Sequence, residues 1–509
     1  MSDENGKQEA GRKEAYEPPK GAETTGTWGR GRKAITYTAT AKWIVLRKKE
    51  KPAAEVFSVS YVAEGGDERR PVTFVFNGGP GAASAYLHMG AVGPKRVAFP
   101  PDGTLPAMPP RLVENESSWL RFTDLVFLDP VGTGFSRVID EEGRGQGPEK
   151  PEAAEKQEGA VDPKEYFGYK RDLEAMCEVM SRWLSERRRW GSPVFVAGES
   201  YGGYRVGRLV RQLQETAGIG LSGAILISPA LEIVGLDPTD YDVLGWVDRV
   251  PTMAAAAVHH GRSRAFRRGT SLERVLRAAE EFATGEYATF LVRGASLPGA
   301  ERDRVLARLA ALIGLPEEVV RRSEGRVGNL TFVRELLRDE RKVVGLYDAT
   351  ITATDPFPDR EGMSWPDPTL AGIAAAYTGA INRMLRSEIG VETDREYALL
   401  STEVFTSWRD DAERHAFLPP PGATDDFRYG MVLNPHLRAF LTHGYYDLVT
   451  PYFTSERLRN LMRLDPETAR RLTVRHFGGG HMFYSWEASR QAFSEAIARF
   501  VAEATSASA

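Results

Sequence analysis

One cysteine, Cys177, stands in 509 residues, so no disulfide can form within the chain. That excludes a small secreted scaffold held together by crosslinks. Cys177 falls among Leu173, Met176, Val179, Met180 and Trp183 at helical spacing, and reads as a helix-packing residue in a reducing compartment. An excess of one charge is missing too. Sixty-six Lys and Arg oppose 70 Asp and Glu, a net charge of −4, which is too small and dispersed to attract nucleic acid. No apolar run approaches the roughly 18 residues of a membrane helix, and no signal-peptide core follows Met1. The expectation is a soluble, cytoplasmic protein without a membrane or nucleic-acid partner, although a start codon assigned too far downstream would hide an export signal. His, Cys and Asp never cluster at metal-ligand spacing, so neither metal nor other cofactor is expected.

Residues 1–33 are rich in Gly, Lys, Glu and Thr and lack an apolar segment, so they read as a disordered tail. Ala34–Leu46 and Val56–Val62 alternate apolar and polar residues around a charged turn, as an antiparallel hairpin does. Continuous apolar runs follow at Val72–Phe76, Leu125–Leu128, Val194–Ala197 and Ala224–Ile227. Such runs fit strands covered on both faces of a mostly parallel sheet. The helical stretch Tyr166–Trp190 supplies a crossover. Gly143–Gly159 is charged and turn-rich and reads as a mobile loop. From Leu231 to Pro421 the character is helical, at Ser271–Phe290, Glu301–Ile313 and Thr331–Glu340, with no comparable strand. Sheet signals return at Leu437–Thr442 and Leu472–His476, before a last helix over Glu487–Val501. The pattern predicts an α/β fold whose mostly parallel central sheet is flanked by helices. The core spans 34–231 and 422–509, and a helical lid at 232–421 is inserted after the sixth strand.

Gly198-Glu199-Ser200-Tyr201-Gly202 lies between the apolar run Val194–Ala197 and a helical segment. Strand, G-x-S-x-G and helix together form the nucleophile elbow of the α/β-hydrolases, a tight turn that lifts a serine hydroxyl above the sheet. A serine nucleophile needs a base, and the base an orienting acid, in the chain order Ser, Asp, His for this fold. His481 follows Gly478-Gly479-Gly480 just past a strand, at the sheet end where such folds place chemistry. His443 is the second candidate base, and His476 sits at a strand end and reads as structural. His88, His259, His260, His415 and His436 have no comparable setting. Asp447 lies in the loop after Leu437–Thr442, with a helix cap near Pro451 as its alternative role. The glycine-rich Asn77-Gly78-Gly79-Pro80-Gly81 follows Val72–Phe76, where such folds place one oxyanion donor; the residue after the nucleophile supplies the other. The backbone N–H groups of Gly79 and Tyr201 take those places, unless the loop is only a tight turn. No Gly-Lys-Ser/Thr follows, which excludes a phosphate loop.

Together with Asp129-Pro130-Val131-Gly132-Thr133-Gly134-Phe135-Ser136 and Gly480-His481-Met482, these segments resemble the serine carboxypeptidase family. The resemblance implies removal of single residues from peptides with a free terminal carboxylate. It also implies that Asn77 and Glu199, with the Gly78 N–H beside them, bind that carboxylate. A protonated Glu199 can share its proton with a second carboxylate and Asn77 adds an amide donor, which favours activity at acidic pH. The other reading of Glu199 is a buried acid satisfied by backbone donors. Ala82 and Ala83 stand where family members usually carry Cys and Ser, and Val75 where many carry Trp. The family's disulfides cannot form here, which is similar to a non-exported bacterial-type member. An esterase or acyltransferase using the same triad, and a catalytically silent binding module, are the alternatives.

Overall fold

The computed structural model describes residues 16–66, 69–139, 163–360, 367–409 and 422–506. The expected mobile loop Gly143–Gly159 lies outside them, as do His415 and the end of the expected lid. Each continuous apolar run forms a strand. In chain order the strands are β1 (Ala22–Trp28), β2 (Ile35–Lys48), β3 (Lys51–Ala63), β4 (Val72–Phe76), β5 (Asp124–Leu128), β6 (Val194–Glu199), β7 (Leu221–Ile227), β8 (Arg438–Thr442) and β9 (Leu472–Val474). They join one ten-stranded sheet in the order β1-β2-β3-β5-β4-β6-β7-β8-β9, and Arg137–Val138 pairs with β3 as the tenth strand. β1, β2, β3 and β5 pair antiparallel. From β5 through β4, β6, β7 and β8 to β9 every pairing is parallel.

Strand alternation sorts the core. Val194 and Val196 of β6 face Met176, Met180 and Trp183 of α1 (Tyr169–Glu186) and Val206 and Val210 of α2 (Tyr201–Thr216). Phe195 and Ala197 point the other way, towards Phe493, Ile497 and Phe500 of the last helix, Glu487–Ser506. Both faces of the central strands β4, β5 and β6 are thus dry, which is why their sequences are apolar almost throughout. Cys177 is buried on α1, and burial pushes its thiol up to about 12, so it packs as a small apolar residue.

Between β7 and β8 the chain is mainly helical and builds an apolar core of its own around Trp246, Met253, Phe282, Phe290, Leu309 and Phe332. Three expectations need correction. Residues 22–28, placed in the tail, form edge strand β1, paired with β2 from Ala22↔Ala41 to Trp28↔Ile35. The composition of the tail hides β1, because an edge strand needs backbone pairing and few buried side chains. The helical block also holds a two-stranded hairpin, Lys342–Val344 with Thr352–Thr354. The single helix expected over Ser271–Phe290 is interrupted by a π-helical turn at Ala283–Tyr287. Among the described residues no helix is long and apolar enough to cross a membrane.

Candidate active site

Four loops converge at the carboxyl ends of β4, β6, β8 and β9. At the β6–α2 elbow, Ser200 has φ 61° and ψ −124°, a strained conformation for a residue with a Cβ. The turn closes because Gly198 has no side chain; a Cβ there would stand 2.1 Å from the Gly202 carbonyl oxygen. The Ser200 N–H donates to the Ile227 carbonyl at 2.9 Å, and its carbonyl accepts from Gly203 and Ala230 N–H at 2.8 and 3.1 Å. Ser200 itself is partly exposed.

Asp447 and His481 meet although they leave different strands. His481 Nδ1 and Asp447 Oδ2 are 2.8 Å apart. Asp447 Oδ1 accepts from the N–H groups of Val449 and Thr450 at 2.8 and 3.0 Å. The Thr450 hydroxyl lies 2.7 Å from Asp447 Oδ2, 3.0 Å from the Ser228 carbonyl and 3.1 Å from His481 Nδ1. Ser228 Oγ in turn donates to the His481 carbonyl at 2.8 Å. Burial pulls the His481 imidazole down, but the charge and hydrogen bond of Asp447, with the charge of Glu199, outweigh it, and the net shift is upward. His443 has both ring nitrogens engaged, Nδ1 with the Thr450 carbonyl at 3.0 Å and Nε2 with Ser455 Oγ at 2.8 Å. Burial and the two neighbouring histidines hold it well below its usual range. His476 Nδ1 accepts from the His443 N–H, and its Nε2 faces Glu456 at 3.2 Å. His88 is buried against Phe127 and bonds the Tyr61 hydroxyl, and burial drives it down to about 3.

The glycine loop lies directly on the elbow. A Cβ at Gly78 would stand 2.4 Å from the Tyr201 nitrogen and 2.6 Å from the Glu199 carbonyl oxygen, so only glycine fits. Tyr201 opens α2, and its N–H has no intrahelical acceptor. Asn77 Oδ1 accepts from the Leu87 N–H at 2.9 Å, which turns its Nδ2 to donate to Glu199 Oε2. Glu199 Oε1 is buried and has no hydrogen-bond partner among the described residues. Burial raises the Glu199 carboxyl to about 7, helped by the charge of Asp447 and opposed by His481, Tyr484 and Asn77. The hydroxyls of Tyr86, Tyr377 and Tyr484 are likewise buried without a partner in hydrogen-bonding geometry. Burial, with the Glu199 charge, keeps all three firmly protonated.

Several supporting residues escape a reading of sequence alone. Buried Arg205, on α2, pairs with Asp172 of α1 at 2.7 Å and donates to the Asn77 carbonyl at 2.7 Å, fastening the glycine loop to the elbow helix. An arginine on an otherwise apolar helical face is the signal that betrays it. Thr450 stands three residues after Asp447, just past the Asx turn that the Val449 N–H closes two residues on. Tyr347, Asp348 and Tyr484 carry no local signal of that kind. Among the described residues no group of His, Cys, Asp and Glu can hold a metal ion.

Residues 43–234 match the serine carboxypeptidase family profile. The pheromone-processing carboxypeptidase KEX1 of Fusarium vanettenii is 24% identical over 313 residues, 59% of this chain and 38% of that protein. Serine carboxypeptidase-like 8 of Arabidopsis thaliana is 27% identical over 158 residues, 30% of each chain. These matches therefore span well under half the length of the curated relatives. The crystal structure of a prohormone-processing carboxypeptidase, KEX1(Δ)p from Saccharomyces cerevisiae, superposes with a TM-score of 0.54 at 16% identity, covering 92% of both chains, a likeness of fold. Over residues 43–234 the chain is thus similar to the serine carboxypeptidase family, and its fold is like that of the solved carboxypeptidase.

Proposed function

We propose that this protein is a serine-type carboxypeptidase that hydrolyses the last peptide bond of substrates with a free terminal carboxylate. Ser200 attacks the scissile carbonyl, and His481 takes its proton and returns it to the leaving amino acid. Asp447 holds the imidazole tautomer and stabilises its charged form. The N–H groups of Gly79 and Tyr201 receive the oxyanion. Asn77, Glu199 and the Gly78 N–H hold the terminal carboxylate. The helical block between β7 and β8 serves as a lid over this site.

One observation carries the choice of carboxypeptidase over esterase or acyltransferase. A buried carboxyl group, raised to about 7, stands next to the nucleophile with an amide donor on one oxygen and the Tyr484 hydroxyl as a neighbour. Acyl transfer alone has no use for such a group. Bound to a peptide acid, a protonated Glu199 donates to the incoming carboxylate, and the pair shares one proton. The test is hydrolysis of one blocked dipeptide acid and its C-terminal amide, with release of the last residue scored. Equal use of acid and amide returns the site to the esterase or acyltransferase reading. Failure of Ser200 to react with a fluorophosphonate leaves the silent binding module.

A further inference from the structure

The sheet alone does not bring His481 and Asp447 into register. Their loops are joined directly, Tyr445 N–H to the Phe477 carbonyl and Tyr446 N–H to the Gly479 carbonyl, each at 3.0 Å. A third segment, residues 346–350 of the helical block, lies across both. On the acid side, Leu448 N–H donates to the Leu346 carbonyl at 3.2 Å and Ala349 N–H to the Tyr446 carbonyl at 3.0 Å. Leu448 itself is buried in the apolar core of the helical block. On the base side, His481 N–H donates to the Tyr347 carbonyl at 2.5 Å and Gly480 N–H to Asp348 Oδ2 at 3.0 Å. The Tyr347 ring stands at 89° to the imidazole, with centroids 5.3 Å apart. The fit leaves no room for a side chain, since a Cβ on Gly480 would lie 2.0 Å from the Tyr347 oxygen.

Asp348 is buried. Its two oxygens take four donors: Gly480 N–H and Trp486 Nε1 on one, the Thr350 N–H and hydroxyl on the other. An acid buried beside the catalytic loop and holding hydrogen bonds both within its own segment and to the Gly480–Trp486 stretch is expensive unless those bonds are needed.

We propose that Tyr347 and Asp348 are positioning residues, through which the helical block sets the distance and angle between the His481 imidazole and the Asp447 carboxylate. The inference rests on the triad proposed above. Asp348→Asn tests it. The amide has one acceptor oxygen, so it cannot serve both the Gly480–Trp486 pair and Thr350, and the His481 loop shifts.

Since misplacement by an ångström can cost on the order of 100-fold in rate, kcat should fall ~10- to 100-fold with KM nearly unchanged. Fluorophosphonate labelling of Ser200 should slow in parallel, and the downfield proton resonance of the His481 Nδ1–H should move. Thr350→Val, which removes one hydroxyl and leaves Gly480 bonded, should keep kcat within about twofold. If Asp348→Asn does not fold, Tyr347→Ala reads the same contact from the ring side, with the same loss in kcat and the same moved resonance expected. A folded variant that melts earlier but keeps kcat, labelling rate and the downfield resonance overturns the proposal. A wild-type protein that is not labelled at all overturns the triad, and this inference with it. Wild-type labelling with equal labelling of the variant overturns this inference alone.

Discussion

Replacing Glu199 with Gln separates its charge from its shape. The side chain is 3% exposed, and burial lifts its carboxyl to about 7. Below that pH it holds the proton that a substrate carboxylate needs; above it, two negative charges face each other in a site of low dielectric. The protonated fraction falls about tenfold per pH unit beyond the pKa, equivalent to about 1.4 kcal/mol of contact energy per unit. For a peptide acid compared with its amide, the ratio of kcat/KM should fall about 15-fold between pH 7 and 8.5. The ratio is the proper observable, because His481 must be neutral to act as a base and its raised pKa imposes the same rising limb on both substrates. In Glu199→Gln the amide donates at every pH, so the ratio should stay level. Steady-state kinetics from pH 5.5 to 8.5, on both substrates and both proteins, decide the matter. A wild-type ratio constant within twofold refutes the carboxylate clamp, whatever the absolute activities.

Ser200→Ala should lower kcat by roughly 10³ or more with the fold intact, measured as turnover beside circular dichroism; retention of a tenth of wild-type turnover would reassign the nucleophile. His481→Ala should match that loss. His443→Ala instead strands the Ser455 hydroxyl and Thr450 carbonyl and should cost about 1–3 kcal/mol of stability while keeping turnover within about tenfold, so equal inactivation would make His443 the base. Gly78→Ala forces a Cβ to 2.4 Å from the Tyr201 nitrogen and should abolish fluorophosphonate labelling; normal labelling would show that the glycine loop does not bear on the elbow. Glu199 also titrates with folding. Unfolded, it releases its proton near 4.5, and folded near 7. Its contribution is therefore full below 4.5, and about 3 kcal/mol is lost as pH rises to 7. Denaturation midpoints of wild type against Glu199→Gln should diverge over that window, and parallel curves would argue against a raised pKa.

What the sequence reveals and what it hides follow from how far each interaction reaches. Val72–Phe76 and Val194–Ala197 are visible because both their faces are dry, and a strand buried on both faces leaves an unbroken apolar run. β1 is not, because Thr24, Thr25 and Thr27 bury little and its stability comes from pairing with β2, a backbone property without a side-chain signature. The π-helical turn at Ala283–Tyr287 is invisible for a similar reason. The apolar periodicity runs through it, and only a register shift in the hydrogen bonds marks it.

The same rule applies at the site, and it locates the part of the chemistry that sequence cannot reach. Ser200, Asn77 and Glu199 sit on turns whose geometry is written in adjacent glycines, and Asp447 and His481 each follow a strand end that the apolar pattern locates. The partners that hold those groups come from far along the chain. The Gly480 N–H bonds a residue 132 positions away, Asp348, and Arg205 reaches across 128 positions to the Asn77 carbonyl. Neither pairing has a spacing that a local pattern can register. Both are buried, and a buried donor or acceptor must be matched or cost about 1–3 kcal/mol. The selection acting on such a pair is therefore on geometry rather than on motif. Around Glu199, the hydroxyls of Tyr86, Tyr377 and Tyr484 are buried without a partner in ideal hydrogen-bonding geometry. Orphaned polar atoms scattered through a core are faults. Gathered beside the proposed nucleophile, they form a set of donors that a carboxylate ligand would complete, and this ties them to the proposed preference for a peptide acid.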